Sequence, residues 1–179
     1  MSCSATSPES TISAFRTPDP NGRIQTTLVE TQSAIIANTI SIVSGRQENE
    51  GLRAYAGIIP NQRPQDTLTG SATFRGPYAV AFLENITVED NFVTGRNSII
   101  EGTITLEADL SDRSLSGTDG IFSVQASIQN DTQINGEVTV LGVPGTLEGE
   151  IGADRAFGAF HGGDLTHLMS GGFVAERSP

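Results

Sequence analysis

The chain has no lysine and no tryptophan, two histidines and a single cysteine. Each shortage removes a class of chemistry. All ten basic residues are arginine, so neither a Schiff-base lysine nor a phosphate-loop lysine is available. Cys3 has no second cysteine to pair with, which excludes an internal disulfide. His161 and His167 lie six residues apart, in no HxxxH or HExxH spacing, and there is no CxxC, so a structural zinc is not expected. A Gly-x-Ser-x-Gly elbow, a GxxxxGK[ST] loop and a GxGxxG turn are all missing. No run approaches the ~18 apolar residues of a membrane-spanning helix. Positive charge is also scarce: ten arginines stand against 21 acidic residues, a net charge of -11. Such a chain repels phosphate backbones, which argues against nucleic acid, and it is disfavoured at an anionic membrane surface.

What is abundant is glycine, with 20 among 179 residues, set between short apolar segments. The clearest is Ile100 to Leu110. Ile100, Gly102, Ile104, Leu106, Ala108 and Leu110 fall on one face, and Glu101, Thr103, Thr105, Glu107 and Asp109 on the other. A period of two means a strand with one buried and one wetted face. Further strands are expected at Leu52–Ile59, Leu68–Phe74, Tyr78–Val88, Leu115–Val124, Thr132–Leu141, Val143–Ile151, Arg155–Phe160 and Gly172–Ala175. Turn signals separate them at Gly76-Pro77, Asp90–Asn97, Ser111–Ser114 and Gly142. The spacing, with about eight strands from Leu52 on, predicts an all-β domain, a sandwich or an antiparallel up-and-down barrel, and glycines such as Gly102, Gly117, Gly149 and Gly158 would permit the bends of a small barrel. The best helix candidate is the short stretch Gly163 to Met169. Residues 1–22 read as a tether or arm, 23–50 as strands whose docking the pattern leaves open, and 51–179 as the barrel.

Several segments resemble the barrel domain of transferrin-binding protein B and related bacterial surface lipoproteins. They are Tyr55-Ala56-Gly57 followed by Leu68 to Gly76, Gly102 to Leu110 with Leu115-Ser116-Gly117, and Gly145 to Gly149. The most specific is the closing pair Ala156-Phe157-Gly158-Ala159-Phe160-His161-Gly162 and Ser170-Gly171-Gly172-Phe173. Residues 1–50 carry no comparable match. The resemblance implies an eight-stranded barrel at the outer face of a bacterial envelope, usually lipid-anchored, that binds a partner and catalyses nothing. It does not imply transferrin, because ligand choice in such scaffolds lives in loops.

On this reading the protein is a non-enzymatic surface or outer-membrane binding protein, lipid-anchored or secreted, that presents loops such as Asn61–Asp66 and Asp90–Asn97 to a protein or small ligand. Cys3, in the polar run Ser2 to Pro8, reads either as a stray thiol or as the lipid-attachment residue. Two alternatives stay open: a structural subunit of a secreted or virion-like particle, and a carrier of haem or another small ligand. No cofactor is required. If haem were carried, the candidate ligands are Tyr55, Tyr78, His161, His167 and Met169, although His161 equally fills an aromatic position of the closing hairpin. The carboxylate pairs Glu89/Asp90 and Glu148/Glu150 are candidates for acid–base work. Glu148 and Glu150 alternate with Leu147, Gly149 and Ile151, so they are expected to face water.

Overall fold

The structure is a computed structural model that describes residues 23–30, 34–41, 53–60, 63–89 and 92–179. It is built of strands. Three of them, β1 (Arg23–Glu30), β2 (Ala34–Ser41) and β3 (Arg53–Pro60), form a separate antiparallel sheet in that order. The other eight are β4 (Ser71–Glu89), β5 (Phe92–Asp109), β6 (Ser114–Thr118), β7 (Phe122–Gln129), β8 (Gln133–Val140), β9 (Val143–Ile151), β10 (Arg155–Gly163) and β11 (Leu168–Arg177). Each pairs antiparallel with the next, and β11 pairs with β4 to close the barrel. The fold is the expected up-and-down meander.

The interior is a packed core. The inward row of β5 is the apolar row read from the sequence: Ile104, Leu106 and Ala108 are buried, while Glu101, Thr103, Thr105 and Glu107 are exposed. On β9 the inward row alternates large and small, with Val143, Leu147 and Ile151 buried and Gly145 and Gly149 between them. Alternation of this kind lets side chains interdigitate across a narrow barrel. Phe122 lies at the centre, its ring 4.6 Å from Tyr78, 4.9 Å from Phe160 and 6.5 Å from Phe173 between centroids.

Five sequence expectations shift. Leu115 to Val124 is not one strand: β6 ends at Thr118 and β7 begins at Phe122, with the Asp119–Ile121 turn between them. The segment from Leu52 is not the first barrel strand: β3 pairs with β2, and the barrel starts at Ser71. The two strands expected at Leu68–Phe74 and Tyr78–Val88 are one, Ser71–Glu89, continuous through Gly76-Pro77, and Leu68 lies before it. Pro77 is tolerated because it pairs with Thr103 on β5 and its missing N–H would have faced β11, where the β4–β11 ladder has no pair between Phe173↔Tyr78 and Glu176↔Arg75. Phe92 to Asn97 continues β5 instead of turning, so β4 and β5 make a long hairpin that outruns its neighbours. Gly163 to Met169 is no helix; Asp164–His167 is the β10–β11 turn and Leu168 opens β11.

The hairpin directions define two ends. At the lower end, residues 63–70 cross the barrel mouth and insert Leu68, which is fully buried. The Ala153 N–H donates to the carbonyls of Gln65 and Asp66, the Gln65 N–H donates to Asp154 Oδ1 at 2.8 Å, and the Leu110 N–H donates to Gly70 O. Asn61–Asp66, expected as a contact loop, is thus a seal from Arg63 on. The N-terminal sheet docks on the outside: β3 lies against β10 and β11, and β2 against β11. There the barrel wall is buried on both faces. Phe157 and Val174 form a small outer apolar cluster, next to buried Ala159, Gly172, Ala79 and Ala81.

Candidate binding surface

The residues singled out for ligand binding do not converge. Tyr78 and Met169 point into the core. His161 is outward and half-buried, lining a groove of about 450 Å³ beside β3 with Phe157, Glu148, Glu150 and Arg63. His167 sits in the β10–β11 turn, 5.7 Å from the Phe82 ring and bonded to Asp164. Tyr55 pairs with Thr39 in the N-terminal sheet. Cys3 lies outside the described residues, as does Asp90 of the first carboxylate pair. Glu148 and Glu150 face outward as expected, and Glu150 meets Arg63 at 3.5 Å. Among the described residues, no three His, Cys, Asp or Glu side chains cluster as a metal site would require.

Tyr78 has a structural task. Gly102 lies opposite it on β5, and a Cβ there would enter the phenol ring, so only glycine lets the ring lie flat against the wall. Its hydroxyl donates to Asp119 Oδ2 at 2.6 Å. Burial, then the bond to Asp119 and its charge, push the Tyr78 phenol above its ordinary range. Burial works against the Asp119 carboxylate, but the N–H groups of Phe122 and Ile121 and the Tyr78 hydroxyl outweigh it and hold its pKa below the usual value.

That carboxylate shapes the first of the three upper-end turns among the described residues, and these turns share an unusual feature. The β6–β7 turn presents Ile121, 46% exposed; the β8–β9 turn presents Leu141, 57% exposed; the β10–β11 turn presents Leu165, 97% exposed. The lower-end turns carry Ser111-Asp112-Arg113, Asn130-Asp131-Thr132 and Ala153-Asp154 instead. Among the described residues one other large apolar side chain is exposed, Ile99 on β5. Among the described residues, the large aliphatic side chains that are exposed are therefore gathered towards one end.

The turns that hold them are pinned. Asp164 Oδ1 accepts the N–H groups of Thr166 and His167 at 2.8 Å each, and its carboxylate lies 2.9 Å from His167 Nδ1. Those bonds lower the Asp164 pKa, the Thr166 N–H first and the His167 side chain next. Thr166 O accepts the Ile86 N–H, which ties this turn to β4 at the bulge where Asn85 has φ 55°. The Leu141 N–H donates to Ile121 O at 3.0 Å, joining the other two turns. Leu141 itself has φ 50° and is followed by Gly142 at φ 85°. Two-residue hairpin turns of this kind favour Asn, Asp or Gly, and a left-handed leucine costs ~1 kcal/mol. Its exposed side chain recovers none of that through burial. Sequence reasoning missed all three residues. The signal was an aliphatic residue inside each upper turn, visible only once the turns were sorted by end.

Comparison with solved structures fixes the architecture. Intact Ap-TbpB, with its N and C lobes, superposes with a TM-score of 0.52 at 13% identity, over 89% of this chain and 37% of that one. The isotype 1 TbpB of serogroup B Neisseria meningitidis gives 0.50 at 14% identity, over 90% and 34%. A mutant TbpB of Actinobacillus pleuropneumoniae H49 gives 0.50 at 17% identity, over 93% and 83%. The chain has the fold of the transferrin-binding protein B barrels. It spans about a third of the length of the first two proteins. The TbpB-type likeness extends over the N-terminal sheet as well as the barrel, since 89% or more of this chain is covered. No family model and no curated protein matches the sequence. By their names these neighbours are transferrin-binding proteins, not enzymes.

Proposed function

We propose that this TbpB-type barrel is a non-enzymatic bacterial surface binding protein, and that its contact surface is the upper rim formed by Ile121, Leu141 and Leu165. The observation that carries the reading is Leu141: a strained, exposed leucine in a turn where Asn or Gly would be more stable. Backbone strain kept for an exposed apolar side chain is explained by a partner that buries it. Pinned turns favour binding because little conformational entropy remains to be lost. The lower end is occupied by its own seal and does not compete for the role.

The partner is a protein, and transferrin is the first to test, because the neighbours in fold bind it. The full chain would be immobilised and probed with transferrin by surface plasmon resonance, alone and as the triple variant Ile121→Thr, Leu141→Asn, Leu165→Asp. In parallel, a photo-crosslinking residue placed at position 165 or at position 131 would be activated on intact cells. Cross-links from 165 and none from 131 are expected. Equal yields from the two ends would remove the rim from consideration, whatever the partner. Surface location and lipidation at Cys3 are tested by labelling cells with an alkyne fatty acid: label is expected on the wild type and lost in Cys3→Ser.

A further inference from the structure

The barrel is closed, but the β5–β6 seam is its shortest. β5 has 18 residues, but β6 has five and pairs only with Leu106–Asp109. Above that, β5 is hydrogen-bonded to β4 on one side, and among the described residues no strand lies on the other. The direction of its free groups follows from the ladder. Leu106 pairs with Gly117, and the Thr105 carbonyl lies against Gly117, so Thr105 turns its backbone groups towards β6. Alternation along a strand then turns the N–H and C=O of Thr103, Glu101 and Ile99 to the same side, where β6 no longer runs.

This edge lacks the usual protection. From Phe92 to Thr105 there is no proline, and the only charges are Arg96 and Glu101. Arg96 is held by Glu84 at 3.4 Å. Glu101 is exposed and is in none of the ion pairs among the described residues. Its cross-strand neighbour on β4 is Ala79.

The geometry points to a second binding site: the Ile99–Thr103 edge of β5 accepts an extended segment of a partner protein as an added strand, in line with β6, with a basic side chain of that segment opposite Glu101. Of the inward residues of the added strand, the one beside half-buried Ile100 is aliphatic, and the one over Gly102 lies against the Tyr78 ring, whose hydroxyl Asp119 holds. The outward residues flank Ile99, Glu101 and Thr103, where the unpaired carboxylate on a chain of net charge -11 selects arginine or lysine. A second copy of this chain is disfavoured by the same charge. The site begins where the β6–β7 turn that carries Ile121 leaves off, so it adjoins the rim, but its hydrogen bonds come from β5 and not from the rim turns.

The test uses the isotope-labelled full chain and two capped synthetic peptides, Thr-Val-Arg-Val-Thr and Thr-Val-Glu-Val-Thr, followed by NMR. The arginine peptide should shift the amides of Ile99, Glu101 and Thr103 and slow their exchange tenfold or more. Thr103→Pro removes one edge N–H without touching the β4 ladder, and should abolish those changes while leaving the melting temperature close to wild type. Glu101→Arg should weaken the arginine peptide at least tenfold and bring in the glutamate peptide. Leu141→Asn should leave peptide binding unaltered, so failure of the rim would not count against the edge. Unchanged binding by Thr103→Pro, or perturbations confined to other strands, would overturn the proposal. So would a concentration-dependent dimer in sedimentation that Thr103→Pro abolishes, since the edge would then belong to a second copy.

Discussion

At the scale of single residues, two side chains are informative because they are not what their positions favour. Leu141 occupies a left-handed position beside Gly142. Leu141→Asn should raise stability by ~1 kcal/mol, as the backbone strain is relieved, yet weaken partner binding. Chemical denaturation and a binding titration on one sample check both halves, and a variant that loses stability would refute the strain argument. Tyr78 is the second case. A phenol whose pKa is higher folded than unfolded stabilises the fold below the unfolded value, about 10, and that contribution is lost as the pH rises through the folded one. Of the two tyrosines, at least one should ionise well above pH 10 in an absorbance titration of the folded protein. Tyr78→Phe should cost ~1 kcal/mol at neutral pH and flatten the stability loss on the alkaline side. An unchanged alkaline limb would remove Tyr78 as its source.

At the scale of elements, the strands were legible and their ends were not. Strict alternation identified β5 from sequence, because an inward Ile104 or Leu106 and an outward Glu107 belong to one residue-by-residue pattern. Gly76-Pro77 looked like a stop, but proline ends a strand only where its missing N–H is needed. The register that decides this is a property of β4 with β5 and β11 together. Asn61–Asp66 looked like a free loop because it is polar and carries Pro64. The structure shows its described part anchored, by the Ala153 N–H and by Asp154. That carboxylate accepts the Gln65 N–H and the Arg155 Nε–H, which together outweigh its partial burial and keep its pKa below the ordinary value. A carboxyl of this kind contributes stability above the unfolded pKa, near 4, and loses it as the pH falls through the lower folded value. Asp154→Asn should therefore reduce the acid sensitivity of the seal and speed amide exchange at Gln65 at neutral pH. If exchange there matched wild type, the anchor would be absent.

At the scale of the whole molecule, the N-terminal sheet and the barrel depend on each other. The outer wall of β10, β11 and β4 carries Phe157, Val174, Ala79 and Ala81 where a free barrel would carry polar residues; β3 covers β10 and β11, β2 covers β11, and β1 meets β4. Phe157→Ala should destabilise the full chain by about 3 kcal/mol. A chain beginning at Arg63 should bind a hydrophobic dye and self-associate, because an apolar patch of this kind would be left in water. A monomeric, dye-silent truncation would mean that the sheet merely rests on the barrel. The candidate surface was the least legible part. Ile121, Leu141 and Leu165 are 20 and 24 residues apart along the chain, and nothing local says that their turns share one end.

The sequence by itself determined the all-β class, the succession of strands with one buried face and the poverty of catalytic groups, since all of these follow from residue type and a period of two. Tertiary structure decided the rest: which strand opens the barrel, what covers the outer wall, which turns gather at one rim, and where β6 ends and leaves β5 with an open edge. Those are matters of register and closure. They depend on pairs of segments far apart in the chain, and no single segment carries that information.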